Sequence, residues 1–203
     1  MKRFVYAVMA VAMTAAVSFA GMPLMIGGGV NLSSHSYNED LPDGVDQGML
    51  LGFHVGANTV IPIADKMGVL TGLNFETRGG ATKFEMFGID VISAITMRYI
   101  NIPALFSYNF TPELAVAIGP EIGIALSGTT VVDVDGDEES DDFEDYNALD
   151  LGLSVLANYT ISEKIVVGLG YDYGLMNVAD IDDDDANLKN RNFKILVAYK
   201  LNM

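Results

Sequence analysis

A chain of 203 residues that is 50% hydrophobic, with a mean hydropathy of +0.31 and a formal charge of −16, combines greasiness and acidity in a way soluble domains seldom do. The apolar content excludes intrinsic disorder, and the lack of cysteine excludes disulfide scaffolds and cysteine-ligated metals. With 27 acids against 11 Lys and Arg, nucleic acid is excluded as a partner.

The first segment is an address. Lys2 and Arg3, the apolar run from Phe4 to Val17, and the small residues of Ser18-Phe19-Ala20 follow the order of a secretory signal peptide, with cleavage predicted after Ala20. The run is short for a bilayer-spanning helix, so an uncleaved anchor is the lesser reading. The expected organisation is a signal peptide over 1–20 and a single domain over 21–203.

Beyond Ala20 the apolar residues come in short, alternating runs broken by glycine, and a period of two means strand. The pattern predicts eight strands: 24–32, 49–61, 67–78, 96–110, 114–127, 148–160, 164–176 and 191–202. Three connections are tight and polar: Ala64-Asp65-Lys66, Thr111-Pro112-Glu113 and Ser162-Glu163-Lys164. They alternate with long polar stretches at 33–48, 79–95, 128–147 and 177–190. Long and short connections therefore gather at opposite ends of an up-and-down meander, as in outer-membrane barrels with short periplasmic turns and long extracellular loops.

Facing tells lipid from water. In the fifth predicted strand one parity reads Leu114, Val116, Ile118, Pro120, Ile122, Ile124, Leu126, and the other Ala115, Ala117, Gly119, Glu121, Gly123, Ala125, Ser127. The 148–160 and 164–176 segments repeat the contrast. A soluble barrel turns its bulky apolar residues inward; here the other face has too little apolar volume for a core, so the sense is inverted. The predicted fold is all-β, an eight-stranded antiparallel up-and-down transmembrane β-barrel.

The inward parity collects Asn31, His54, Asn58, Asn74, Glu76, Arg78, Asn101, Glu121, Asp150, Asn158, Asp172, Lys194 and Lys200. Unpaired buried charge is costly, so Glu76, Glu121, Asp150 and Asp172 are expected to pair with Arg78, Lys194 and Lys200 in a lumenal network. A proton or ion path and a catalytic carboxylate are the alternatives. With no tryptophan, interfacial belts fall to Tyr108, Phe110, Tyr159 and Tyr199 at the short-turn end and to Phe75, Tyr171, Tyr173 and Phe193 at the other.

The segments Arg98-Tyr99-Ile100-Asn101-Ile102-Pro103-Ala104-Leu105, Gly119-Pro120-Glu121-Ile122-Gly123 and Gly168-Leu169-Gly170-Tyr171-Asp172-Tyr173-Gly174-Leu175 resemble the PorT-like outer-membrane β-barrel domain of Gram-negative bacteria. The resemblance covers essentially the whole chain beyond Ala20. It implies an eight-stranded outer-membrane barrel, usually without an assigned enzymatic activity, and a secretion role for some relatives. Family patterns often place an acid where Asn101 stands and an aromatic residue at the terminus, where this chain reads Lys200-Leu201-Asn202-Met203.

Two acidic runs stand in the long connections, Asp133-Val134-Asp135-Gly136-Asp137-Glu138-Glu139-Ser140-Asp141-Asp142-Phe143-Glu144-Asp145 and Asp180-Ile181-Asp182-Asp183-Asp184-Asp185. Dense oxygen ligands suit Ca²⁺, and Asp133, Asp135 and Asp137 fit the first three ligand positions of an EF-hand, but Gly136 comes two residues too early. The expectation is solvated loops, with a weak Ca²⁺ site at Asp133, Asp135 and Asp137 as the alternative and no other cofactor. His35 with Ser33 or Ser34 is too local for a catalytic triad. No catalysis is expected.

The favoured function is a structural or interaction barrel whose acidic surface loops meet ions, matrix or proteins. A small pore or a part of a transport or secretion system comes next, then a lipid-modifying enzyme or a soluble periplasmic binder. Expected partners are outer-membrane lipid and lipopolysaccharide, together with a surface or secretion-system protein.

Overall fold

The computed structural model describes residues 23–37, 42, 44–86, 88–179 and 188–201. The predicted signal peptide, the run Asp180 to Asp185, and Asn202 and Met203 lie outside the described residues. In chain order the strands are β1 (Leu24–Tyr37), β2 (Val45–Gly48), β3 (Leu50–Ala64), β4 (Met67–Met86), β5 (Ile89–Asn109), β6 (Leu114–Val134), β7 (Asp137–Phe143), β8 (Leu149–Thr160), β9 (Ile165–Gly174) and β10 (Leu188–Leu201).

Eight of these close a ring. β1 bonds β3, the path runs on through β4, β5, β6, β8 and β9 to β10, and β10 returns to β1 over the full register from Leu24 opposite Leu201 to Tyr37 opposite Leu188. All pairings are antiparallel, so every neighbour is reached by a hairpin or by the closure of the first strand on the last. Closure satisfies the backbone groups that an open sheet would leave bare in lipid.

Alternation within each strand sorts the side chains as a bilayer would. Ile122 is 43% exposed while its neighbour Glu121 is 2% exposed, and Tyr171 at 44% precedes Asp172 at 1%. The outer wall carries Ile26, Val30, Phe53, Val55, Ile118, Leu153, Leu169 and Val197 among many exposed apolar residues, and the buried set is dominated by polar and charged groups. Phe110, Tyr159 and Tyr199 are exposed at the short-turn end, and Tyr171, Tyr173 and Phe193 nearer the other. Tyr108 and Phe110 meet edge to face at 5.0 Å, and the Arg191 guanidinium lies 3.6 Å over the Tyr173 ring.

Two of the predicted loops are in fact strands. The stretch 79–95 is a hairpin that extends β4 and β5 past the ring, with Met86 opposite Ile89, and 128–147 contains the upper part of β6 and the whole of β7. The Asp135-Gly136 turn between β6 and β7 has φ of 56° and 92°, the left-handed pair of a two-residue hairpin. β7, Asp137-Glu138-Glu139-Ser140-Asp141-Asp142-Phe143, is rich in residues that disfavour strands. It is held as an edge strand by β6, whose facing segment Gly128-Thr129-Thr130-Val131-Val132 is rich in β-branched residues. With β2 on the other edge of β4, one wall rises into a crown in the order β2-β4-β5-β6-β7. β1 also continues to Tyr37, five residues past its predicted end, because it pairs with β10 along its whole length.

Candidate functional site

The lumen is plugged by a charged cage built from alternate positions of six strands. β4 contributes Glu76 and Arg78, two residues apart and so on one face; β5, β6, β8, β9 and β10 contribute Asn101, Glu121, Asp150, Asp172 and Lys194. Arg78 Nη2 lies 2.7 Å from Glu121 Oε1 and 3.5 Å from Asp172 Oδ2, and it also contacts Glu76; Nη1 lies 3.3 Å from Asp150 Oδ2. Lys194 Nζ sits 2.6 Å from Asp172 and 3.7 Å from Glu76. Lys200, grouped with these by parity, takes no part: its Nζ donates to Thr160 Oγ1 at 3.2 Å near the short-turn rim.

Small residues make the room. Gly152 lies opposite Glu121 and Gly123 opposite Asp150 in the strand registers. A Cβ on Gly152 would stand 3.3 Å from Glu121 Cγ, and one on Gly123 would stand 3.3 Å from the Tyr99 ring. This alternation of bulk lets a narrow barrel hold six charged side chains in its interior.

The amides in the cage turn their NH₂ groups to carboxylates. Asn101 Nδ2 donates to Glu76 at 2.8 Å and Glu121 at 2.9 Å, Asn190 Nδ2 to Asp150 at 2.8 Å, and Asn192 Nδ2 to Asp172 at 3.1 Å; Ser154 Oγ donates to Asp172 at 2.7 Å. Such donors offset the desolvation of buried carboxylates. Four carboxylates stand against two cations, a formal excess of negative charge. Oxygens of Glu76, Glu121 and Asp172 come within 4.8 Å of one another, but Arg78 Nη2 contacts all three, so a guanidinium holds the place an ion would take.

The sequence missed four members of this site. Tyr99, whose ring carries the Arg78 guanidinium 5.5 Å from its centre, is fully buried with its neighbour Met97. Asn190 falls just outside the predicted last strand, and Asn192, inside it, was not assigned inward. An inward parity extended one turn further would have included both. On the long-connection side of the cage, Met97, Tyr99 and Val178 form a buried apolar cluster against Phe143, Tyr146 and Leu188.

His35 and Ser33 belong to β1 and not to a loop, and both are buried. Ser33 Oγ accepts from Gly79 N at 2.9 Å and donates to Leu50 O at 3.4 Å, which commits the hydroxyl to the backbone. His54 Nδ1 is 2.6 Å from Asn31 Oδ1, and the Asn31 amide donates to Thr77 O.

Asp133, Asp135 and Asp137 follow one another over the crown hairpin: the end of β6, the turn, and the start of β7. Asp133 Oδ1 accepts from Gly136 N at 2.8 Å. Among the described residues these three do not converge as one ligand set. Elsewhere in the crown Lys83 donates to Asp90 at 2.7 Å, and that hydrogen bond with its charge raises the Lys83 ammonium above the usual lysine range.

The ring resembles solved barrels. Ail, the attachment invasion locus protein of Yersinia pestis, matches at 14% identity and a TM-score of 0.47, over 89% of this chain and 99% of that one. Neisserial surface protein A matches at 12% and 0.44, over 88% and 97%. The outer membrane protease OmpT of Escherichia coli matches at 10% and 0.38, over 90% and 96%. Among curated proteins none matches significantly. The sequence model of the outer membrane protein beta-barrel domain matches residues 21–180. The closed ring of eight strands, with apolar residues outside and charge within, is a β-barrel, and the chain belongs to the outer membrane protein beta-barrel domain family.

Proposed function

We propose that the protein is a closed structural and interaction barrel that anchors an acidic crown at the bacterial surface. In this reading the signal peptide is removed after Ala20, the short turns face the periplasm and the crown faces outward. The finer kinship is PorT-like, resting on the Arg98 to Leu105 and Gly168 to Leu175 segments. The observation that carries the proposal is the Arg78 cage, in which one guanidinium ties four strands together across the lumen and leaves an eight-stranded barrel no open channel.

The crown then supplies the contact surface. Asp137, Glu138, Glu139, Asp141 and Asp142 are all exposed on its edge strand. Charge of this density attracts cations and cationic partners over roughly a Debye length, about 8 Å at physiological salt. Divalent cations shared with lipopolysaccharide, and a surface or secretion-system protein, are the partners the proposal names. No catalytic role is assigned, since the Ser33 hydroxyl is committed to the backbone.

Planar bilayers test the proposal. Reconstituted protein is expected to show no stable conductance steps at moderate voltage. Porin-sized steps from the unmodified chain would instead make it a pore.

A further inference from the structure

Below the cage the lumen is not filled. A cavity of about 70 Å³ runs from the cage toward the short-turn end, with walls from Leu70, Leu105, Leu156 and Leu196 and a roof from Glu76, Asn101, Glu121 and His54. A second cavity, which shares Met25, Leu70 and Asn158 in its lining, lies beside Lys200, Asn109 and Glu113 at the rim. The cage and the Met97, Tyr99 and Val178 cluster close its far end.

Hydrogen-bond accounting gives this pocket a polarity. Asn101 is 1% exposed and spends both amide hydrogens on Glu76 and Glu121, so its Oδ1 is left as an acceptor. His54, 8% exposed, meets Asn31 Oδ1 through Nδ1. The Asn31 amide nitrogen is already donating to backbone carbonyls, so that oxygen accepts and His54 Nδ1 carries the hydrogen. In the neutral ring His54 Nε2 is then an acceptor, and it has no partner among the described residues. Asn158 Oδ1, in the wall, is a third buried acceptor without a partner among the described residues. The neighbouring amides Asn58 and Asn74 bond each other at 2.8 and 3.1 Å, which satisfies both of their carbonyl oxygens and one hydrogen of each NH₂.

Among the described residues, the buried atoms of this lining left without a partner are all acceptors, and the roof carries more carboxylates than cations even with Lys194 beside Asp172 and Glu76. We propose that this vestibule is a binding site for a small aliphatic primary amine, its ammonium group donating to the roof and its alkyl chain lying along the leucine walls. An ammonium has three hydrogens to donate and no acceptor of its own. A carboxylate of equal size would face carboxylates and three lone pairs.

Met25 lines the vestibule and Met97 lies beyond the cage, so methionine-methyl NMR of the folded barrel in micelles reports both ends of the lumen. The Met25 signal is assigned with Met25→Leu. Butylammonium is expected to shift Met25 saturably and leave Met97 in place, while butyrate and butanol bind at least about tenfold more weakly. Ala198→Phe, which adds bulk at an uncharged position of the wall, is expected to abolish the shift, and Asn158→Leu to weaken it severalfold. If Ala198→Phe does not fold, Asn158→Leu alone decides. Equal shifts with butanol or butyrate, no shift with butylammonium, or full binding by a folded variant of either kind would overturn the proposal.

Discussion

Arg78 Nη2 and Glu121 Oε1 meet at 2.7 Å from strands 43 residues apart, and both side chains are 1% exposed. The pair has no access to bulk water, so its worth depends on the rest of the cage. Removing the cation leaves Glu76, Glu121, Asp150 and Asp172 facing one another in a low-dielectric interior.

Arg78→Leu is therefore expected to destabilise the barrel by about 3–5 kcal/mol, the usual cost of orphaning buried charge. Glu121→Gln, which relieves part of the negative excess and keeps a hydrogen-bonding group, should cost clearly less. Denaturant unfolding in micelles gives both values, and gel mobility before and after boiling checks that each variant closes. Equal losses would mean that packing, not charge, holds the cage.

Ile122→Arg places a charge on the lipid-facing wall, where the cost near the bilayer midplane is about 2–4 kcal/mol. Ser140→Arg lies on the exposed edge of the crown and is expected to stay within about 0.5 kcal/mol of the parent. Unfolding in phospholipid vesicles compares the two. A similar cost at both sites would reverse the assignment of the two faces.

These facings were written in the sequence because a strand has only two sides: once Ile118 and Ile122 go out, Glu121 must go in. The same parity turns Asp150, Asp172 and Lys194 inward from their own strands. Parity says nothing, however, of the stagger between strands, and it is stagger that carries Asp150 to Arg78, three strands away around the ring. The crown was hidden for another reason. Gly79 and Gly80 look like a chain break, and the acids of β7 look like a solvated loop, but pairing with a β-branched neighbour overrides both signals. Asp135-Gly136 was the available clue, a dipeptide suited to the tightest hairpins.

Gly80 and Gly136 separate two reasons for glycine. A Cβ on Gly80 would lie 2.6 Å from the His35 backbone nitrogen and 2.8 Å from its ring, whereas one on Gly136 would meet nothing within 4 Å but must hold φ at 92°. Gly80→Val is expected to cost about 1–3 kcal/mol by overpacking, read as global destabilisation. Gly136→Ala should cost about 1–2 kcal/mol and show only as faster hydrogen exchange in β6 and β7 of the crown. Global loss from Gly136→Ala would tie the crown to the ring more closely than its position suggests.

Met97→Ala opens a void in the apolar seal of Met97, Tyr99 and Val178. The expected loss is about 2–5 kcal/mol, as for other large-to-small changes at fully buried sites. In bilayers the variant should remain silent, because the charged cage beneath still blocks the path. Conductance from this single change would identify the apolar cluster, and not the cage, as the barrier.

The cage also sets an order of events for a newly exported chain. Arg78 enters with the first half of the sequence, but its partner Asp150 follows 72 residues later, and Asn190 reaches Tyr99 across 91. Contacts so distant along the chain form late and make closure slow. Until the last strand arrives, Glu76 and Asp172 lack Lys194, their second cation, and an open sheet leaves these groups to water. The final β1–β10 seam closes the wall around them, which makes barrel closure and enclosure of the charges one step.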